Sequence, residues 1–263
     1  MFLTEKVVRD SLFRLEYLEF AEREKSMQVV LLRVGIDTGS GGIHGPLFRD
    51  NSFEFLWIPD KYNVEQRTYS SVTGRYGRKL IEYFPPRRRP QMERCPVHAD
   101  PEFDTFTYGD PTQPKAGLRR LQPGDYLAFY CGLQGWNFES APALYLIGYF
   151  HVQLAGLAAS FQEREIKRNF AANAHVRHKK LYYQQKEKLV LVKGSESSHF
   201  FRRAVKISEP GLDRAGQPMP ILSKRMQTIF GNFDGRVCIK RSPPRWVAPE
   251  LTKKAVAFLK SCE

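Results

Sequence analysis

Cysteine is scarce in this chain. There are four in 263 residues, Cys95, Cys131, Cys238 and Cys262, and no two of them form a short-spaced pair. A cysteine-based structural zinc site draws its ligands from such pairs, so none is expected, and the thiols read as buried and free. Long apolar runs are also missing: the stretch at 143–152 falls well short of the roughly 20 residues a spanning helix needs. Acidic residues are in deficit, 28 Asp+Glu against 41 Lys+Arg, which leaves a net charge of +13. The first 26 residues are dense in charge and lack an apolar core, so no secretory signal, no membrane contact and a cytoplasmic protein are expected.

What is present excludes disorder. Apolar residues make up 42% and aromatic residues 13%, enough to bury a core without a metal or a disulfide to hold it. The positive charge is concentrated, with twelve basic against four acidic residues between Phe161 and Lys206. A field of that sign attracts polyanions, nucleic acids and nucleotides first among them.

Residues 4–25 read as an amphipathic helix, with Thr4 as cap and Val8, Leu12, Leu15 and Leu18 at helical spacing. The chain therefore divides into a helical extension over 1–26 and one α+β domain over 27–263. Continuous apolar character predicts a strand at 29–34, and shorter runs predict strands at 53–58 and 80–84. Two antiparallel strands are expected at 126–130 and 144–152, joined through 132–142, and another strand at 189–193. Helices are expected over 158–176, 222–230 and 249–260.

Two loops hold the residues with chemistry. In Ile36-Asp37-Thr38-Gly39-Ser40-Gly41-Gly42-Ile43-His44-Gly45-Pro46 the glycines let backbone approach a ligand, and their N–H groups suit an anion. The other loop, 98–111, alternates His98, Asp100, Glu102 and Asp104, which an extended chain places on one face. Asp100, Glu102 and Asp104 are weighed there as oxygen ligands for Mg²⁺, against a solvated acidic loop. No cofactor and no other metal is expected.

Leu121-x-Pro-Gly-Asp125, the aromatic run 126–130 and Tyr145-Leu-Ile-Gly-Tyr-Phe-His-Val152 resemble the barrel core of PUA-like domains, the EVE, YTH and ASCH group. That resemblance implies a mixed β-barrel with flanking helices, whose mouth stacks a base on Tyr130, Trp136 or Tyr149. A longer resemblance, to the third nucleotide-modification-associated domain family, runs from Met27 to the C-terminus. It is carried by Val30-Leu-Leu-Arg-Val-Gly-Ile-Asp37-Thr-Gly, Gly42-Ile-His44-Gly-Pro-Leu-Phe48 and Phe53-Glu-Phe with Ile58-Pro-Asp60. His98-x-Asp100-Pro-x-Phe-x-Thr-Phe-Thr-Tyr108-Gly-Asp110-Pro and Asn173-Ala-His175-x-Arg177 continue it. It implies a modified-nucleotide context and no particular reaction.

The candidate nucleotide-binding residues are Arg33, Asp37, Thr38, Gly42, His44, Tyr108, Asp110, Tyr130, Asn173, His175 and Arg177. Acids there can accept from exocyclic amines and arginines can pair with phosphate. Each acid is equally readable as a turn former bonded to its own backbone. Asn173, His175 and Arg177 point together only if the chain is extended there. Arg87, Arg88, Lys179 and Lys180 are candidates for the phosphate backbone.

The function expected is recognition of a modified base or nucleotide by a DNA-associated protein, with modified DNA or nucleotides and base-modification enzymes as partners. The alternative is an enzyme acting on modified bases or nucleotides, a nuclease, base-excision enzyme, hydrolase or transferase, with Asp37 and His44 as acid and base. Asp110 or Asp60 with Glu165-Ile166-Lys167 would supply a metal-assisted nuclease. Asp37-Thr38-Gly39 also matches an aspartic-protease loop, but no second such triplet exists to complete a carboxylate dyad.

Overall fold

Residues 29–32 are apolar without alternation, and a strand of that kind is stable only where both of its faces are covered. A computed structural model, describing residues 27–39, 41–60, 66–213, 215–239 and 243–263, shows this for β1 (Val29–Arg33). Val30 and Leu32 enter one core cluster with Leu127 and Phe129. Val29 and Leu31 enter another with Tyr126, Ala128 and Tyr130. The predicted extension at 4–25 lies outside the described residues.

The strands that follow are β2 (Gly45–Leu47), β3 (Ile58–Pro59), β4 (Val97–His98), β5 (Thr107–Asp110), β6 (Tyr126–Gly135) and β7 (Ala143–Leu157). After them come β8 (Val190–Gly194), β9 (His199–Lys206), β10 (Ser208–Leu212), β11 (Pro218–Leu222) and β12 (Arg245–Trp246). The helices are α1 (Arg89–Met92), α2 (Glu163–Phe170), α3 (Ala174–Arg177), α4 (Lys179–Gln185), α5 (Lys224–Phe230) and α6 (Thr252–Lys260).

The β6–β7 hairpin is the spine of an eight-stranded mixed sheet of order β12-β1-β6-β7-β8-β5. It is long enough for each strand to take two partners. β6 pairs in parallel with β1 over Tyr126–Tyr130 and with β2 over Leu133–Gly135. β7 pairs antiparallel with β9 near its start and with β8 from Val152 onward, with a register shift inside each pairing, at Leu146/Gly148 and at Val152/Leu154. One face is covered by aromatic residues such as Phe53, Phe55 and Phe103. The other is covered by α5 and α6 through Met226, Phe230, Ala255 and Leu259.

The fold is thus α+β, as expected. Among the described residues the sheet runs from β12 to β5 without closing, so the barrel implied by the PUA-like resemblance is not seen. The β6–β7 hairpin matches its prediction and extends further into the expected connection.

Other local expectations are revised. The strand expected at 53–58 reduces to a bridge between Leu47 and Phe53 and to β3, and between them the backbone makes only single bonds, the Glu54 N–H to the Pro46 carbonyl and the Ile36 N–H to the Leu56 carbonyl. The strand expected at 80–84 is a 3₁₀ turn, Leu80–Tyr83, held by the Lys79 N–H donating to Glu82 Oε1 at 2.9 Å. The helix expected over 158–176 breaks after Phe170, where the Asn173 side chain caps α3 by accepting from the His175 N–H at 3.1 Å. Of the thiols, Cys131 is buried, whereas Cys95, Cys238 and Cys262 are partly exposed.

Candidate functional site

β1 delivers Arg33 to the edge of a cavity of about 480 Å³, and the loop after it brings Thr38 and His44 to the same wall. Ala143 and Leu144 at the start of β7 and the β10–β11 hairpin, with Pro210, Met219 and Pro220, make the remainder largely apolar. The hairpin holds its shape because β10 and β11 pair from Ser208 with Leu222 to Leu212 with Pro218. The Ser208 hydroxyl also accepts from the Leu144 N–H at 2.8 Å, fixing the hairpin to β7.

Three polar groups converge there. Asp37 is buried with a carboxylate oxygen 3.7 Å from the Arg33 guanidinium. Arg33 Nε and His44 Nδ1 are both shielded from solvent without a hydrogen-bond partner. Burial and the Arg33 charge push the His44 pKa below its ordinary value, while Asp37 pulls the other way. The His44 imidazole thus sits beside a cation at the edge of a space walled by proline and methionine, with its Nδ1 turned toward Gly132. Gly132 permits this approach, since a Cβ there would lie 2.7 Å from His44 Nδ1.

The glycine-rich loop does not form the expected anion cradle from its N–H groups. Gly39 N–H donates to Asp37 Oδ1 at 2.9 Å, and the Gly41 and Gly42 N–H groups donate to the Asp37 carbonyl at 2.9 and 3.0 Å. The Asp37 side chain therefore organises its own turn. Gly42 instead makes room for a cation: its φ is +76°, and a Cβ there would collide with the Arg88 guanidinium at 2.1 Å. Two sequence-selected positions, Gly42 and Arg88, thus meet.

The remaining candidates assemble elsewhere. Tyr130 is 1% exposed and belongs to the core, as does Tyr149, so neither lines a mouth. Tyr108 is buried too, its hydroxyl donating to Asp110 Oδ2 at 3.1 Å, while Asp110 Oδ1 accepts from the Thr112 N–H at 2.7 Å. Asn173 and His175 are buried, Asn173 as the extended cap of α3 and His175 inside that helix, so the three do not lie on one extended run. Arg177, which shares their parity, turns to Glu102 at 3.6 Å. Arg87, Lys179 and Lys180 are exposed on the surface. The nuclease candidate Glu165 caps its own helix, accepting from the Gln162 N–H at 2.8 Å.

The alternating carboxylates do not stay on one face. Glu102 is buried and accepts from Thr107 Oγ1 at 2.9 Å and the Ala174 N–H at 3.1 Å. Burial raises its pKa, and the Thr107 hydroxyl and Arg177 offset part of that rise. Asp104 is exposed. Asp100 lies instead beside His98 and His175. Sequence reasoning did not single out Met219, Pro220 or Ile239 of the first cavity, and nothing in their local pattern marks them.

Among the described residues, no helix is long and apolar enough to cross a membrane. No curated protein and no solved structure matches the chain. A family model described as nucleotide modification associated domain 3 matches residues 28–255, from the start of β1 into α6. Over that length the match makes the chain a member of the nucleotide modification associated domain 3 family, with a role in a nucleotide-modification context.

Proposed function

We propose that the chain recognises a modified base of DNA, held in the cavity between β1, the start of β7 and the β10–β11 hairpin. The observation that carries this reading is the meeting of Arg33 and His44 on the wall of an otherwise largely apolar space of about 480 Å³. That volume lies within the range of small-ligand sites, and an apolar wall with few polar groups is their usual make-up. Proline and methionine would pack on a base face, while Arg33 and His44 would meet its polar edge or the adjoining phosphate. A base reaches such a pocket only out of the stack, at a cost of a few kcal/mol that is smallest for damaged or unpaired nucleotides. Exposed Arg164, Lys167, Lys179, Lys180, Arg202 and Arg203 would hold the backbone.

The test titrates the purified chain against matched duplexes, unmodified and carrying modified cytosine or thymine, with free nucleotides alongside. Each mixture is scored for retention and then for strand breaks or released base. Tighter retention of one modified duplex, weakened in Arg33→Gln and falling steeply with salt, is the expected result. Retention that ignores both the modification and Arg33 overturns it.

The enzyme reading is kept by one observation, the His44 imidazole beside the buried Arg33–Asp37 pair. Asp37→Asn separates the two: it abolishes turnover if Asp37 works as an acid or base, and only weakens binding otherwise.

A further inference from the structure

Three ligand-bearing side chains from distant parts of the chain meet away from that cavity. His98 at the end of β4, Asp100 two residues on and His175 in α3 each offer one donor atom, and the three atoms lie within 4.8 Å of one another. All three residues are buried, at 7, 8 and 6% exposure. Donors on one ion at about 2.0–2.2 Å each stand at most about 4.4 Å apart. Side-chain adjustments of well under about 1 Å would therefore bring these three onto a single centre.

The surroundings orient the imidazoles as a metal site requires. His175 Nδ1 lies 3.0 Å from Gln185 Oε1, an acceptor, so this nitrogen carries the proton and Nε2 keeps its lone pair. Gln185 is itself 3% exposed. His98 Nδ1 faces the Asp60 carboxylate at 3.9 Å, which directs the other nitrogen, Nε2, away from it in the same manner. The two rings meet edge to face with centroids 5.5 Å apart. Gly109 of β5 makes this approach possible, because a Cβ there would lie 3.0 Å from His175 Cδ2.

We infer that His98, Asp100 and His175 bind one divalent transition-metal ion, with Asp60 and Gln185 as the outer groups that orient the imidazoles. Two imidazoles and one carboxylate favour zinc or ferrous iron over magnesium, which takes oxygen ligands. Three protein ligands leave coordination positions open, as in reactive rather than purely structural centres. Ala99 and Pro101, chain neighbours of the ligands, line a second cavity of about 340 Å³ with Glu102 and Arg177.

The test uses the full chain stripped with a chelator, then titrated with Zn²⁺ against a chromophoric competitor and, separately, with Co²⁺ as an optical probe. One equivalent of Zn²⁺ is expected, and the Co²⁺ spectrum should lack the intense thiolate band that cysteine ligation would produce. His175→Ala and Asp100→Asn should lose the site. Gln185→Ala, which removes no ligand, should weaken it about 10–100-fold. Lys224→Ala, exposed on α5, should leave it unchanged, and excess Mg²⁺ should not compete. Circular dichroism of each variant separates loss of the site from loss of the fold, and Gln185→Ala keeps the test decisive if the ligand variants do not fold. No Zn²⁺ binding at micromolar metal, binding insensitive to these substitutions, a thiolate band or displacement by Mg²⁺ would each overturn the assignment. DNA retention is scored separately, so this result stands or falls apart from the base-recognition reading.

Discussion

Asp125 closes the Pro123-Gly124-Asp125 turn and ties β6 to the residue that precedes β1. One of its carboxylate oxygens accepts from the Gln28 N–H and the other from the Gln122 N–H, both at 2.8 Å. The side chain is 3% exposed. Removing it by Asp125→Ala leaves two backbone donors without their acceptor. Each such loss costs about 1–3 kcal/mol, toward the lower end here because both bonds are only partly buried. Against that stands the burial of the charge, which raises the Asp125 pKa even though both N–H donors lower it. The net expected loss is roughly 1–3 kcal/mol, which at about 2–4 °C per kcal/mol for a chain of this size lowers the melting temperature by several degrees.

Asp125→Asn refines the argument. It keeps one acceptor oxygen, turns an NH₂ group toward the other N–H, and carries no charge to desolvate. The expected order of stability is wild type, then Asn, then Ala, with Asn about 1 kcal/mol below wild type. Urea denaturation measures the order, and hydrogen exchange at Gln28 and Gln122 should quicken in the Ala variant. An Ala variant as stable as wild type, or an Asn variant less stable than Ala, would refute the account of Asp125 as the link between the turn and β1.

Further outcomes can be measured on the same material. Gly109→Ala should cost about 1–3 kcal/mol in urea denaturation, because its Cβ would lie 2.9 Å from Asn173 Oδ1 and 3.0 Å from His175 Cδ2 in a packed interior. The fold should lose stability as pH falls through and below about 6.5, because burial lowers the pKa of both His44 and His151 from 6.5 and the unfolded chain then binds more protons. Replacing both histidines by glutamine should make that slope shallower, with buried His175 still contributing to it, and an unchanged slope would contradict the account. Cys131, fully buried with its thiol pushed up to about 12, should resist a thiol reagent in the native protein and react once the chain is unfolded.

What the sequence disclosed follows from how far each element depends on distant partners. β1, β6, β7 and α6 were legible because their own residues state their burial, as an unbroken apolar run or as a helix with Pro249 ahead of it and Lys260 at its end. β10 and β11 were not. Ser-Glu-Pro-Gly-Leu and Pro-Met-Pro-Ile-Leu show no alternation, and they become strands only against each other, with Pro210 facing Pro220. The two-residue strands β3 and β4 likewise exist only through mutual pairing. In the first cavity the nearby polar residues were legible, since Arg33, Thr38 and His44 sit within twelve positions of one another. Its apolar wall, contributed by the β10–β11 hairpin, was not.

The His98, Asp100 and His175 cluster shows the same limit more sharply. Alternation from His98 to Asp104 predicts four side chains on one face, and the first two do stay together. The chain then turns, and Glu102 leaves the row for Arg177 and the Ala174 N–H. The third member comes from α3, whose start is set by the Asn173 cap and whose position against β5 depends on the missing side chain at Gly109. No spacing rule joins His98 to a residue so far along the chain. The two sites also divide along one strand. β7 supplies Ala143 and Leu144 to the first cavity at its start, while its far end pairs with β8, which pairs with β5 beside α3. The proposed base pocket at one end and the proposed metal centre at the other can therefore be tested singly, and Arg33→Gln and Gln185→Ala should each leave the other site intact.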